Sequence, residues 1–389
     1  MRYAPSPYEQ VWFDGPAAGR ICEKTSWQVE GSLAWLSYAK ATRSGSARRP
    51  PTTEQQRVLS RFDSAEGTTE YIEPLTGMAR HPFTPIWGCA RRARAGGGNL
   101  TLRARILKVL PSGVLDTSYL LPENSCGRQS RRSNYFFDLG TSIPGPWSSD
   151  HGGGHAPKGS KADRVLQSSK SSRRKANISS SVVQVEDGQA VSKADYVKAF
   201  QRNAGDKGRE LDLEGIELSS LGFFCRLYEA NCIQFDRIYA WEAAQYDGKD
   251  WWRHVPLEIR AKLTFFNLPV ESVRGSLDSG ARSGRASPAD PLAMIHQVAK
   301  PEDFVAMKVD IDGGPELELV TRVADNEGGV ADLIDELYFE YHFRFDGLNF
   351  GWLTHKGGRN YQKWNHTVDD ALALMRRLRQ RGIRAHFWV

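Results

Sequence analysis

The stretch FVAMKVDIDG, residues 304–313, decides the fold. Phe304 to Val309 is a short, mostly apolar run, and Asp310-Ile311-Asp312-Gly313 closes it as a turn. This pattern predicts a buried strand that ends in acid. Pro315 to Ala324 reads as the following helix, with Pro315 suited to a first turn. Ile334 to Phe339 reads as the next strand, and it ends in Glu340.

The same alternation extends outward from this centre. Toward the N-terminus it predicts a helix over Pro291–Val298, a strand over Leu263–Phe266 and partial helix over Trp251–Lys262. Before these comes a strand over Phe235–Trp241, ending at Glu242. Ser219 to Ala230 reads as a helix, with Leu221, Phe224, Leu227 and Tyr228 on one apolar face. Tyr135-Phe136-Phe137 is a first strand, ending in Asp138-Leu139-Gly140. Toward the C-terminus, Thr367 to Arg381 is an amphipathic helix capped by Gly382, and Arg384 to Val389 is a final strand. Strands alternating with helices imply right-handed crossovers and a mostly parallel sheet, an α/β fold. Ligands in such sheets sit beyond the carboxyl ends of the strands. Four of these strands end in acid: Asp138, Glu242, Asp310 and Glu340.

Composition bounds the rest. The chain has 389 residues, 40% hydrophobic, and a net charge of +6. Residues 218–389 hold 21 Lys and Arg against 24 Asp and Glu, so the basic excess lies in the first 217 residues. A nucleic-acid enzyme places its positive field around its site, so nucleic acid is not the expected partner. Residues 1–130 read as an irregular N-terminal extension. Residues 131–389 read as the α/β domain, interrupted at about 143–217 by a stretch too poor in large apolar residues to offset its ordering entropy. That insertion holds His151 and His155 among glycines. The five cysteines (Cys22, Cys89, Cys126, Cys225, Cys232) are widely spaced, and they match neither a zinc site nor a disulfide scaffold. Cys225 and Cys232 read as buried thiols on one helix. No signal peptide or membrane span is expected, and the cytoplasm is the default compartment.

The candidate chemistry lies at the strand ends. Glu242 is placed to accept hydrogen bonds from ribose hydroxyls. Gly140 permits close backbone approach to a ligand. The residues after it, Thr141 to Pro146, lack the Gly-x-Gly-x-x-Gly of a dinucleotide cradle, which argues against NAD. Asp310 and Asp312 alternate along an extended segment and so point to one side. Glu340 and His342 share a face of the neighbouring strand end. His355 and His366, with Trp352, Tyr361 and Trp364, lie in the loop between that strand and the last helix. Any of these histidines has the chemistry of a general base. Arg376, Arg377, Arg379 and Arg381 read as the solvated face and last turn of the final helix.

In this order, FFDLG, SSLGFFCRLY, FDRIYAWE, LTFFNLPVES, DFVAMKVDIDG and DELYFEYHF resemble the FkbM-type family of S-adenosylmethionine-dependent methyltransferases, in its poorly described eukaryotic branch. The resemblance runs from Tyr135 to Val389 without the insertion. It implies a seven-stranded, Rossmann-like class I methyltransferase fold. It also implies methyl transfer from S-adenosyl-L-methionine to an oxygen of a small molecule or glycan. Asp138 and Gly140 would line the methionine end of that cofactor, and Glu242 would hold the ribose. Asn267 and the turn to Glu271 would lie near the adenine, and Asp310 and Asp312 near the reacting centre. Because the insertion interrupts the turn after the first strand, Gly222 would supply backbone approach there.

Two other functions compete with this one. Asp310-Ile311-Asp312 also matches the D-x-D pattern of a metal-dependent nucleotide-sugar glycosyltransferase. A scaffold that keeps the fold without the cofactor is the third. One expectation follows from composition alone. Deletion of residues 148–212 should leave the domain folded, because loop-closure entropy changes slowly with length. Limited proteolysis should cut there first, and strong protection of that stretch would refute the insertion.

Overall fold

The computed structural model describes residues 1–13, 34–35, 37–39, 41–42, 47–75, 119–127, 133–141, 182–184, 190–192, 220–244, 252, 255–272, 287–311, 314–341 and 368–388. Its elements, in chain order, begin with β1 (Arg2–Ala4), α1 (Pro7–Phe13), α2 (Thr53–Gln56), β2 (Ser60–Asp63) and β3 (Thr69–Ile72). Then come β4 (Asn134–Leu139), β5 (Val182–Gln184), β6 (Ala190–Ser192), α3 (Ser220–Glu229) and β7 (Arg237–Trp241). Next are α4 (Leu257–Arg260), β8 (Leu263–Phe266), α5 (Pro291–Val298), β9 (Phe304–Val309) and α6 (Gly314–Asp325). A 3-10 helix at Glu327–Leu333, β10 (Glu336–Phe339), α7 (Val368–Gln380) and β11 (Arg384–Phe387) complete the order.

Six strands form the central sheet in the order β11-β10-β9-β4-β7-β8, and every neighbouring pair is parallel. The strands β9 and β10 are buried at every residue. That is the signature of strands covered on both faces by crossover helices. Counted from β4, the order across the sheet is 3-2-1-4-5-6, a doubly wound arrangement. The winding reverses between β4 and β9, so the crevice of the fold opens there. The α/β reading of the sequence therefore holds. The resemblance implied seven strands, whereas the central sheet has six among the described residues.

Local chemistry explains where the elements stop. Asp290 caps α5 by accepting from Leu292 N at 3.0 Å, with Pro291 at the first position. Gly382 ends α7 at φ +95°, where an L side chain would be strained. The first strand is longer than the sequence suggests. Asp138 lies inside β4 rather than beyond it.

Within residues 1–130, β1, β2 and β3 form a three-stranded antiparallel sheet. These strands have three or four residues each, too short for alternation to stand out in sequence. The insertion is described only at β5 and β6, which pair antiparallel.

Segments of the extension cover β11, which explains why this edge strand is buried at all four residues. The contact is ionic. His386 of β11 lies between Glu73 and Glu336, with its Nε2 2.6 Å from Glu336. Burial lowers the His386 imidazole, but the two carboxylates outweigh it and raise it overall. Arg384 donates to the Leu121 carbonyl at 2.7 Å and the Tyr71 carbonyl at 3.1 Å. Arg379 is fully buried, donating to the Glu73 carbonyl at 2.8 Å and pairing with Glu9. This corrects the reading of Arg379 as solvated. The extension brings its own carboxylates to that helix face, and no property of α7 alone announces them. Arg377 does lie on the exposed side, paired with Asp325.

The cysteines differ from expectation as well. Helix α3 ends at Glu229, and Cys232 lies beyond it at φ +60°. Cys232 is bonded to Cys126, 106 residues away in sequence, with their Cα atoms 4.9 Å apart. Spacing alone does not reveal a pairing across that distance. Cys225 remains a thiol, which burial pushes up to about 12. Next to the bridge, Ser125 N donates to the Asn231 carbonyl at 3.0 Å.

Disulfides form and persist in oxidising compartments. Peptide mapping of unreduced protein should recover the Cys126 and Cys232 peptides linked. Reduction should lower unfolding stability by about 2–5 kcal/mol in denaturant titrations. Recovery of both peptides unlinked from oxidised material would refute the bridge.

Candidate functional site

The parallel register lines up one row of side chains across the middle of the sheet. Ala240 pairs with Asp138, Asp138 with Lys308, Lys308 with Tyr338, and Tyr338 with His386. Alternation then puts the residues two further along on the same side at the strand ends. These are Glu242, Gly140, Asp310, Glu340 and Trp388. Helix α3 covers this side of the sheet, with the Phe224 ring 5.1 Å from Phe136 and 4.7 Å from Tyr338. The crevice at the reversal of winding thus has an ionic floor and an acidic rim.

Lys308 lies at the centre of the floor, 1% exposed. Its Nζ stands 3.3 Å from Asp138 Oδ1 and 3.0 Å from Asp310 Oδ2, and it donates to the Gly140 carbonyl at 2.9 Å. Burial lowers the ammonium, but Asp310 and then Asp138 reverse that effect, and the net shift is upward. Asp138 is fully buried, and its other oxygen accepts from Ser220 Oγ at 2.6 Å. Asp138 therefore lies beneath the crevice, tied to β9 on one side and to the start of α3 on the other. Gly222 is buried in the first turn of α3, two residues beyond Ser220.

Gly140 has φ +84°, and a Cβ there would come 1.6 Å from the Asp310 carbonyl oxygen. No side chain fits between the two strand ends. Asp310 N donates to the Leu139 carbonyl at 3.0 Å, and Gly140 N to the Trp241 carbonyl at 3.0 Å. The glycine is thus required by backbone packing at the reversal of winding, whatever else it does.

Asp310 is the member of this ion cluster that reaches solvent, with a quarter of its side chain exposed. Its carboxylate also accepts from Trp388 Nε1 at 3.2 Å. Burial raises the Asp310 carboxyl. The Lys308 ammonium and the Trp388 indole N–H outweigh that and hold it below the usual carboxylate range. Glu340 is 1% exposed, and its backbone N donates to the Val309 carbonyl at 3.0 Å. Phe223 and Trp388 lie 5.3 Å apart, centroid to centroid, on the α3 side of this group.

Glu242 lies at the end of β7, half-buried. Burial pushes its carboxyl up, against the Ala244 backbone N that donates to Oε1 at 2.8 Å. Asn267, at the end of β8, donates to the carbonyls of Glu242 (2.8 Å) and Ala244 (2.6 Å). Asn267 therefore shapes the turn that presents Glu242.

The structure brings Asp138, Gly140, Asp310, Glu340 and Glu242 to one edge of one sheet, with Asn267 and Gly222 beside them. Asp312 and His342 lie outside the described residues, as do His151, His155, His355, His366, Trp352, Tyr361 and Trp364. The sequence reading missed Lys308, Ser220 and Trp388. A signal existed for the first, since a lysine inside an otherwise apolar buried strand needs a carboxylate partner. No such signal marks Ser220 or Trp388, whose contacts depend on the register of three strands. Among the described residues, no group of three or more His, Cys, Asp and Glu is arranged to hold a metal ion, and no helix is long and apolar enough to cross a membrane. No protein-family model, characterised protein or solved structure matches the chain.

Proposed function

We propose that this chain is an S-adenosyl-L-methionine-dependent methyltransferase that methylates an oxygen of a small molecule or glycan. The observation that carries the reading is the charge of the crevice edge. Four carboxyl side chains, Asp138, Glu242, Asp310 and Glu340, lie at or beneath this edge, and the Lys308 ammonium pairs with two of them, Asp138 and Asp310. The strand order and the FkbM-like run KVDIDG support it further.

The ligand's chemistry suits that edge. S-adenosyl-L-methionine supplies an electrophilic methyl group on a positively charged sulfur and carries a ribose with two hydroxyls. An ionised Asp310, partly exposed, attracts positive charge at short range. Glu242 is placed to accept from paired hydroxyls, as acidic residues at this strand end do in nucleotide-binding sheets. Gly140 leaves the backbone open at the turn between them. The gain in rate from such a site comes mainly from holding the acceptor oxygen in line. Asp310 and Glu340 offer hydrogen-bonding groups for that hydroxyl.

The metal-dependent glycosyltransferase reading fits less well. A diphosphate is anionic and would meet carboxylates at this edge. The inner oxygen of Asp310 already faces an ammonium 3.0 Å away.

Titration calorimetry is expected to detect binding of S-adenosylhomocysteine. Glu242→Ala should weaken it by about 1.5–3 kcal/mol through loss of charge-assisted ribose contacts. Equal affinities in wild type and variant would remove Glu242 from the site. A second measurement follows methyl transfer to candidate acceptors with and without EDTA. Asp310→Asn is expected to reduce the rate, and EDTA to leave it unchanged. Full activity in Asp310→Asn would end the assignment, and loss on chelation with recovery on manganese would favour the glycosyltransferase.

A further inference from the structure

We propose that Lys308 is the positioning residue of this site. Its buried ammonium bridges Asp138, Asp310 and the Gly140 carbonyl, and thereby presents Asp310 to the crevice as a fixed anionic acceptor. The last part of this inference rests on the proposed function, while the positioning itself does not.

The geometry sets Lys308 apart from an ordinary structural ion pair. Its three partners come from the ends of β4 and β9, the two strands between which the winding reverses. Two carboxylates against one ammonium leave a surplus negative charge. Of the two, Asp138 is fully buried and Asp310 is partly exposed, so the surplus faces the crevice. Asp310 also takes a hydrogen bond from Trp388 on the last strand. The groups facing Lys308 are thus Asp138, Asp310 and, at longer range, Glu242, with Ser220 of α3 holding the far oxygen of Asp138.

Position and charge together have a consequence for binding. The donors around Asp310 are already in place before a ligand arrives, so its orientation costs nothing at binding. Removal of the ammonium would leave Asp310 desolvated beside Asp138 and Glu340, and both effects favour its protonated form. A neutral Asp310 has no charge with which to attract a sulfonium. Lys308 would therefore control affinity without touching the ligand.

The test compares wild type, Lys308→Met and Lys308→Met/Asp138→Asn. The double variant removes the buried cation and one buried anion together, so its melting temperature is expected to recover toward wild type from the loss in the single variant. Carbon-13 NMR of the Asp310 carboxyl, on ligand-free protein, reads its ionisation from about pH 4 to 9. In wild type it should stay ionised throughout, and in the double variant it should titrate within that window. Calorimetry with S-adenosyl-L-methionine compares the two proteins at each pH, because Glu242, whose carboxyl burial pushes up, titrates in both. Relative to wild type at the same pH, affinity of the double variant should fall at least about tenfold at the acid end and recover as pH rises. An unchanged Asp310 titration in the folded double variant would overturn the proposal, as would wild-type affinity at every pH. If wild type binds neither S-adenosyl-L-methionine nor S-adenosylhomocysteine while the Asp310 titration moves as expected, the positioning role stands and the methyltransferase reading falls.

Discussion

A charged ammonium in the middle of a parallel sheet is tolerated only if carboxylates follow it there, and much of this structure follows from that constraint. Lys308 is desolvated on the central strand β9, and the cost of burying such an ion amounts to several kcal/mol before its partners are counted. Asp138 on β4 and Asp310 beyond β9 meet it at 3.3 and 3.0 Å. Ser220 then satisfies Asp138, which fixes the start of α3 over the sheet. The Gly140 carbonyl completes the set, and the close approach of Gly140 to Asp310 excludes any side chain at that turn. The position of the crevice and the burial of its floor are two aspects of one ion cluster.

The same face of the sheet continues this pattern toward β11. Glu336 of β10 and Arg384 and His386 of β11 are all buried there, and the two strands alone do not satisfy them. Tyr228 of α3 donates to Glu336 at 2.6 Å, and Glu123 N donates to it at 3.1 Å. Glu73 meets His386, and burial of its carboxyl is outweighed by His386 and Arg379, which bring it down to about 2. The extension is therefore part of the sheet's ionic packing. Removing one partner from such a network leaves an uncompensated buried charge, which costs about 3–5 kcal/mol. Cys126–Cys232 fastens the same contact covalently, joining the extension to the turn after α3.

These relations also explain what the sequence made legible. The strands β8 and β9 and the helix α5 fall at the residues the hydrophobic pattern marks, and Gly382 occupies the predicted cap. Their signals are local: a run of apolar residues, a proline at a first turn, a glycine after a last one. The acidic strand ends were legible for the same reason, since each acid directly follows or closes an apolar run. What was not legible depends on partners far away in the chain. Arg379 looks solvated beside Arg376, Arg377 and Arg381 until Glu9 and Glu73 are brought against it. Cys126 and Cys232 look unrelated until α3 and the extension are adjacent. Trp388 closes a terminal strand in sequence, and only the order β11-β10-β9 carries its indole to Asp310.

The ion cluster also limits what chemistry Asp310 is suited to. A general base is most effective when its proton affinity matches the working pH, and a carboxylate held down by an ammonium and an indole donor moves away from that match. Asp310 is correspondingly weak as a proton acceptor. It is strong as a fixed negative charge, because its donors fix its direction in a partly desolvated crevice where Coulomb attraction is weakly screened. Glu242 is tuned the opposite way, with burial pushing its carboxyl up. The two acids at this edge thus differ in character, although both end a strand of the same sheet. That separation suits a site in which one carboxylate holds positive charge near the reversal of winding and another receives hydroxyls two strands away. It suits an anionic diphosphate poorly at either end.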